Sequence, residues 1–142
     1  MKKSTKILIL VLSIVIGGIA IRTNLFGVRD FLNQPIVTSQ GKQIAYLKEH
    51  EQEIVDFVKS QNPKIESVQI DWEETQWEQI GNGTPQGAGW YIILTGTINH
   101  LSETEFSVEF YIEKKKDIPN IEDISLSDDI YIFKDGNWYV FE

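Results

Sequence analysis

The stretch Asp71-Trp72-Glu73-Glu74-Thr75-Gln76-Trp77-Glu78 sets two tryptophans five residues apart among four carboxylates. Such a set makes a ligand platform only if both rings stand on one exposed face. In a regular strand, positions five apart lie on opposite faces. Trp72 has the parity of Val68 and Ile70 and is expected in the core. Trp77 either stands on the outer face, as a contact residue, or is returned inside by a bulge near Glu74-Thr75.

Other residues could do chemistry. His100 could act as a general base at a pocket mouth, oriented by Asp71 or Glu103. A pocket between helix and sheet would then be lined by Trp72, Trp90 and His100. No spacing forces these groups together, and a solvated histidine in the turn over residues 99–105 is the reading preferred. His50, with Glu49 or Glu53, offers at most a two-ligand metal site on a helix surface, which is a poor site. Residues 122–129 place Asp123, Ser125, Ser127 and Asp129 at alternate positions, as a calcium loop does. The sixth position is Asp128 where that loop needs glycine, and the twelfth is Lys134 where it needs glutamate. The glycines of residues 81–89 run from strand to strand, so they cradle no phosphate at a helix start. Cysteine is absent, which removes thiolate metal sites and cysteine nucleophiles. The reading assigns no catalytic residue, no metal and no cofactor. It is that of a non-enzymatic chain.

The elements follow from periodicity. Residues 43–61 place Ile44, Leu47, Ile54, Val55 and Val58 at helical spacing, up to the stop at Asn62-Pro63. Beyond it the period is two. Val68, Ile70 and Trp72 share one face of a first strand; Trp90, Ile92, Leu94 and Ile98 share one face of a second. Phe106, Val108, Phe110 and Ile112 alternate with Ser107, Glu109, Tyr111 and Glu113 in a third, the pattern of an antiparallel sheet with one buried face. Residues 114–129 read as a charged loop in which Lys114-Lys115-Lys116 ends the third strand. Asp135-Gly136 between strand formers marks a terminal hairpin. The expected fold is α+β: one helix packed on a curved antiparallel sheet of four to five strands, preceded by a hydrophobic anchor helix. The expected organisation is an anchor or signal peptide over 1–22, a connector over 23–42 and an extracytoplasmic domain over 43–142.

The address comes from the N-terminus. Three lysines precede 15 uncharged, almost wholly apolar residues, 7–21. As a helix this run spans about 22 Å against roughly 30 Å of hydrocarbon. It therefore reads as a retained anchor, with Arg22 snorkelling, or as a signal peptide cleaved near Gly18-Ile19-Ala20. The positive-inside bias puts the remainder outside the cytoplasm. Of the net charge of −8, residues 30–142 contribute −13, from 8 lysines and 21 acidic residues. Such a body repels phosphate backbones and excludes nucleic acid as a partner.

The helix-then-meander order, the segment Thr84–Asn99 and the ending Phe133-Lys134-Asp135-Gly136-Asn137-Trp138-Tyr139-Val140-Phe141 resemble cystatin-like and nuclear-transport-factor-2-like domains. The layout is also similar to small exported, membrane-anchored proteins of Gram-positive bacteria of uncharacterised role. The resemblance implies a fold and a location, and no catalytic residues. The expected function is an extracytoplasmic binding domain at the outer membrane surface, with Trp77, Tyr91, Tyr111 and Tyr139 as contact residues for a protein or a cell-wall component. The alternatives are a secreted inhibitor or immunity-like protein masking a basic partner, and a small-ligand carrier or enzyme with a helix–sheet pocket.

Overall fold

The computed structural model describes residues 37–142. The apolar run 7–21, and with it the expected anchor, lies outside the described residues. No helix among the described residues is long and apolar enough to cross a membrane.

The domain is α+β. Helices α1 (Ser39–Glu49) and α2 (Glu51–Ser60) precede six strands: β1 (Val68–Gln79), β2 (Trp90–Ile98), β3 (Leu101–Ile112), β4 (Ser125–Leu126), β5 (Tyr131–Lys134) and β6 (Asn137–Val140). All pairings are antiparallel, in the order β1-β2-β3-β5-β6, with β4 added to β3. This is one helix segment and at least one strand more than periodicity suggests. The helix starts at Ser39, within the expected connector, because the Thr38 hydroxyl accepts the Gly41 N–H and caps it. It divides at His50, whose φ of −102° and ψ of 19° leave the helical region. The expected loop 114–129 contains β4, because Ile124 and Leu126 pack against the core and Leu126 pairs with Val108.

Leu47, Ile54 and Val58 from the helices meet Ile92, Leu94, Ile98, Phe106, Val108 and Phe110 from β2 and β3, all fully buried. Burying each of these side chains is worth about 1.5–3 kcal/mol. Gly96 lies opposite Phe106 in this face. A Cβ there would come within 2.0 Å of the Gln69 carbonyl oxygen and 2.7 Å of the Phe106 ring, so only glycine fits.

Gln43 is the polar member of the helical stripe that continues through Leu47, Ile54 and Val58, and it is fully buried. Its amide nitrogen donates to the carbonyls of Lys115 (2.8 Å) and Asp117 (2.7 Å). Its amide oxygen accepts the Trp77 indole N–H at 2.8 Å. One side chain thus ties α1 to β1 and to the turn that follows β3. Leaving such buried partners unpaired costs about 1–3 kcal/mol for each group. Gln43→Met keeps the volume and removes the hydrogen bonds. In urea denaturation it is expected to lose about 2–4 kcal/mol. Trp77→Phe in the same chain should recover part of that loss by removing one orphaned donor. A Gln43→Met protein as stable as the parent would show that these bonds do not hold the layers together.

Candidate functional site

Two irregularities shape the sheet. Between Asp71 and Gln76 strand β1 advances five residues while β2 advances two, from Thr95 to Ile93. The Thr75 hydroxyl donates to the Trp72 carbonyl at 2.7 Å and closes this bulge. The odd surplus inverts the strand's parity. Trp72 and Trp77 therefore both turn toward the core, and Trp77 lies opposite the buried Ile92. Between Gly96 and Ile98 strand β2 advances two residues while β3 covers five, from Phe106 to Leu101. Thr104, 2 % exposed, fills this second irregularity. Its hydroxyl accepts the Ile98 N–H at 2.9 Å and donates to the Leu101 carbonyl at 2.6 Å. Here β3 leaves β2 and pairs with β5 through Thr104–Ile132 and Glu105–Tyr131.

A trough of about 620 Å³ lies between the two irregularities. Asp71, Glu74 and Gln76 reach it from the β1 bulge, and Ser102 and Glu105 from β3. Thr95 and Thr97 of β2 line it between them, and Trp138 of β6 closes one side. Bulges commonly re-aim side chains in this way beside functional sites. Among the described residues, no lysine, arginine or histidine lines the trough. Strands β1, β2 and β3 carry seven carboxylates and no lysine or arginine at all. Carboxylates beside an exposed indole are chemically complementary to a positive group, through charge and through the ring face.

Trp138 also belongs to an apolar surface on the terminal hairpin. Its ring lies 5.2 Å from that of Phe133. Phe133, Trp138, Tyr139 and Val140 are all exposed, Trp138 and Tyr139 by 51 % each. A separate cavity of about 520 Å³ has the opposite character, with Lys114, Lys115 and Lys116 facing Thr38, Ser39 and Gln40.

Of the four expected contact residues, Tyr91, Tyr111 and Tyr139 are accessible and Trp77 is not an outer-face residue: the bulge turns it inward onto Gln43. Tyr91 and Tyr111 pair edge-to-face at 6.2 Å on the sheet's outer parity. The expected pocket residues do not assemble. Trp90 and His100 stand at opposite ends of β2, whose nine residues span about 27 Å. Trp72 is half-buried with the Lys48 ammonium 5.6 Å from its ring; Trp90 is half-buried under the Lys115 ammonium at 4.7 Å. His100 is exposed in the two-residue turn between β2 and β3, at φ 55°. Its backbone N–H donates to the Gln69 side chain, and its ring bonds to neither Asp71 nor Glu103. His50 Nδ1 lies 2.8 Å from Glu53 Oε1 on the helix surface. The sequence reading gives Glu74, Glu105 and Trp138 no role at a site. The apolar residues on both parities of β6 were the one signal that this hairpin leaves apolar side chains uncovered.

Tyr131, beside the trough, donates its hydroxyl to Asp128 Oδ1 at 2.8 Å. That hydrogen bond, desolvation and the charges of Asp128 and Asp129 hold its phenol above the ordinary tyrosine value. The neutral form is the one favoured in the fold. Its stabilising contribution is therefore present below about pH 10, the unfolded-state value, and is lost as pH rises through the higher folded value. Phenolate absorbance or tyrosine Cζ shifts should show Tyr131 titrating late, and Asp128→Asn should bring it back toward the ordinary value.

Comparison with known proteins leaves the site to be read from its own geometry: the chain matches no protein-family profile, no curated protein and no solved structure.

Proposed function

We propose that this chain is a membrane-anchored extracytoplasmic binding domain whose helix-free sheet surface takes a positively charged segment of a protein or cell-wall component. The trough carries this reading. It joins three carboxylates, Asp71, Glu74 and Glu105, to one exposed indole, with no basic side chain from the described residues among its walls. The helices cover the other face of the sheet, so this surface has no partner among the described residues. The N-terminal charge pattern supports the location, and the net −13 of residues 30–142 supports the sign of the partner. An acidic surface of this kind steers a basic partner and accelerates its association. The apolar residues Phe133 and Val140, on the same face as Trp138, supply area that water leaves on contact.

The test uses partners captured from the host cell envelope by the full-length chain. Asp71→Asn, Glu74→Gln and Glu105→Gln together should weaken the captured complex by roughly a factor of ten or more and flatten its salt dependence. Trp138→Ala should weaken it at every salt concentration. A partner retained equally by the triple variant and insensitive to salt would remove the trough from the binding surface.

A further inference from the structure

The two edges of the sheet are treated differently. Strand β1, at one edge, is interrupted by its bulge and carries Asp71, Glu73, Glu74 and Glu78. Charges and bulges of this kind keep a free edge from pairing with another strand. Strand β6, at the other edge, reads Asn137-Trp138-Tyr139-Val140, with no charge, no proline and no bulge. Its three apolar side chains are about half exposed, and no strand among the described residues pairs with its outer side.

The hairpin geometry says which backbone groups are free. Asp135 (φ 50°) and Gly136 (φ 82°) form a two-residue turn with both residues left-handed. In such a hairpin the closing pair, Lys134–Asn137, is hydrogen-bonded, and bonded pairs then alternate. Asn137 and Tyr139 therefore face β5. The Phe141 N–H, which donates to the Ile130 carbonyl at 2.7 Å, continues the same alternation. The N–H and C=O groups of Trp138 and Val140 point away from the sheet.

We infer that β6 receives an extended segment of a separate protein as an added antiparallel or parallel strand, and that this segment alternates basic and apolar residues. The inference rests on the proposed binding function and names its mode of recognition. The backbone of the added strand pairs with Trp138 and Val140. On the face carrying Trp138, a lysine or arginine would lie over the indole and toward the carboxylates of the trough. On the other face, an apolar residue would cover Tyr139. A second copy of β6 offers no positive side chain, and two such chains share the same net charge of −8. Charge complementarity therefore selects a basic partner over self-pairing.

The test uses the full-length chain in detergent micelles and two probes, a short peptide of alternating lysine and valine and its glutamate–valine counterpart. The lysine peptide is expected to bind and to slow amide hydrogen exchange at Trp138 and Val140; the glutamate peptide is not. Val140→Pro removes an outward N–H that makes no bond to β5, and should weaken the lysine peptide roughly three- to tenfold. A lysine peptide N-methylated at alternate residues gives the same test without altering the protein, so a folding defect in the proline variant cannot decide the matter. Binding that depends on Asp71 and Glu105 but ignores both changes would overturn strand addition while leaving the trough as the site. Equal binding of both peptides, or none by either, would overturn the inference. So would exchange at Trp138 and Val140 that is already slow in the free chain, because the edge would then be covered by this chain or by a second copy.

Discussion

The arrangement depends on one buried amide. Gln43 has no solvent contact, and its three hydrogen bonds reach segments 34, 72 and 74 residues away. A buried amide with every partner in place specifies a single packing, because any shift leaves several polar groups unpaired at once. The Trp77 indole can meet Gln43 only if β1 inverts its parity after Asp71. The inversion requires the bulge, and the bulge is what carries Glu74 and Gln76 to the trough. A core hydrogen bond and a surface trough are thus two consequences of the same surplus residues in β1.

The second organising feature is the segregation of charge. The three long strands keep seven carboxylates and no lysine or arginine, while the basic residues among the described ones stand on the helices, in the loop at Lys64, in the turn at residues 114–116 and at the end of β5. Like charges on one sheet surface repel, and the fold gains nothing from concentrating them. The deep core under β2 and β3 offsets that repulsion. A surface held under such repulsion is relieved when a positive partner arrives. This is the physical sense in which the charge pattern favours the proposed recognition over folding. The same logic separates the edges of the sheet, one repelling strands and the other unpaired among the described residues.

The layers were legible in the sequence, but the site was not. Phe106, Val108, Phe110 and Ile112 alternate without exception, so β3 and its buried face could be read directly, and Asp135-Gly136 marked its hairpin. Periodicity counts apolar residues, so it passed over Gln43, a polar side chain on the buried stripe, and began the helix too late. It left Trp77 undecided, because a three-residue surplus depends on cross-strand register and on a hydroxyl bond from Thr75 that local pattern does not encode. Glu74, Glu105 and Trp138 lie far apart in the chain and meet only through the two irregularities and the passage of β3 from β2 to β5. The supposed pocket of Trp72, Trp90 and His100 failed for the complementary reason: residues sharing a face can still stand a strand's length apart.

Trp77 packs against the core, and Trp138 stands exposed at the edge of the trough. Four tryptophans give four indole N–H signals, which are separable in a nitrogen–proton correlation spectrum. Their hydrogen-exchange rates, assigned by single Trp→Phe variants, test the claim directly. The Trp77 indole proton is expected to exchange slowly, because Gln43 holds it, and the Trp138 indole proton to exchange fast. A fast Trp77 indole beside a slow Trp138 indole would contradict the inverted parity of β1, and with it the trough that the bulge creates.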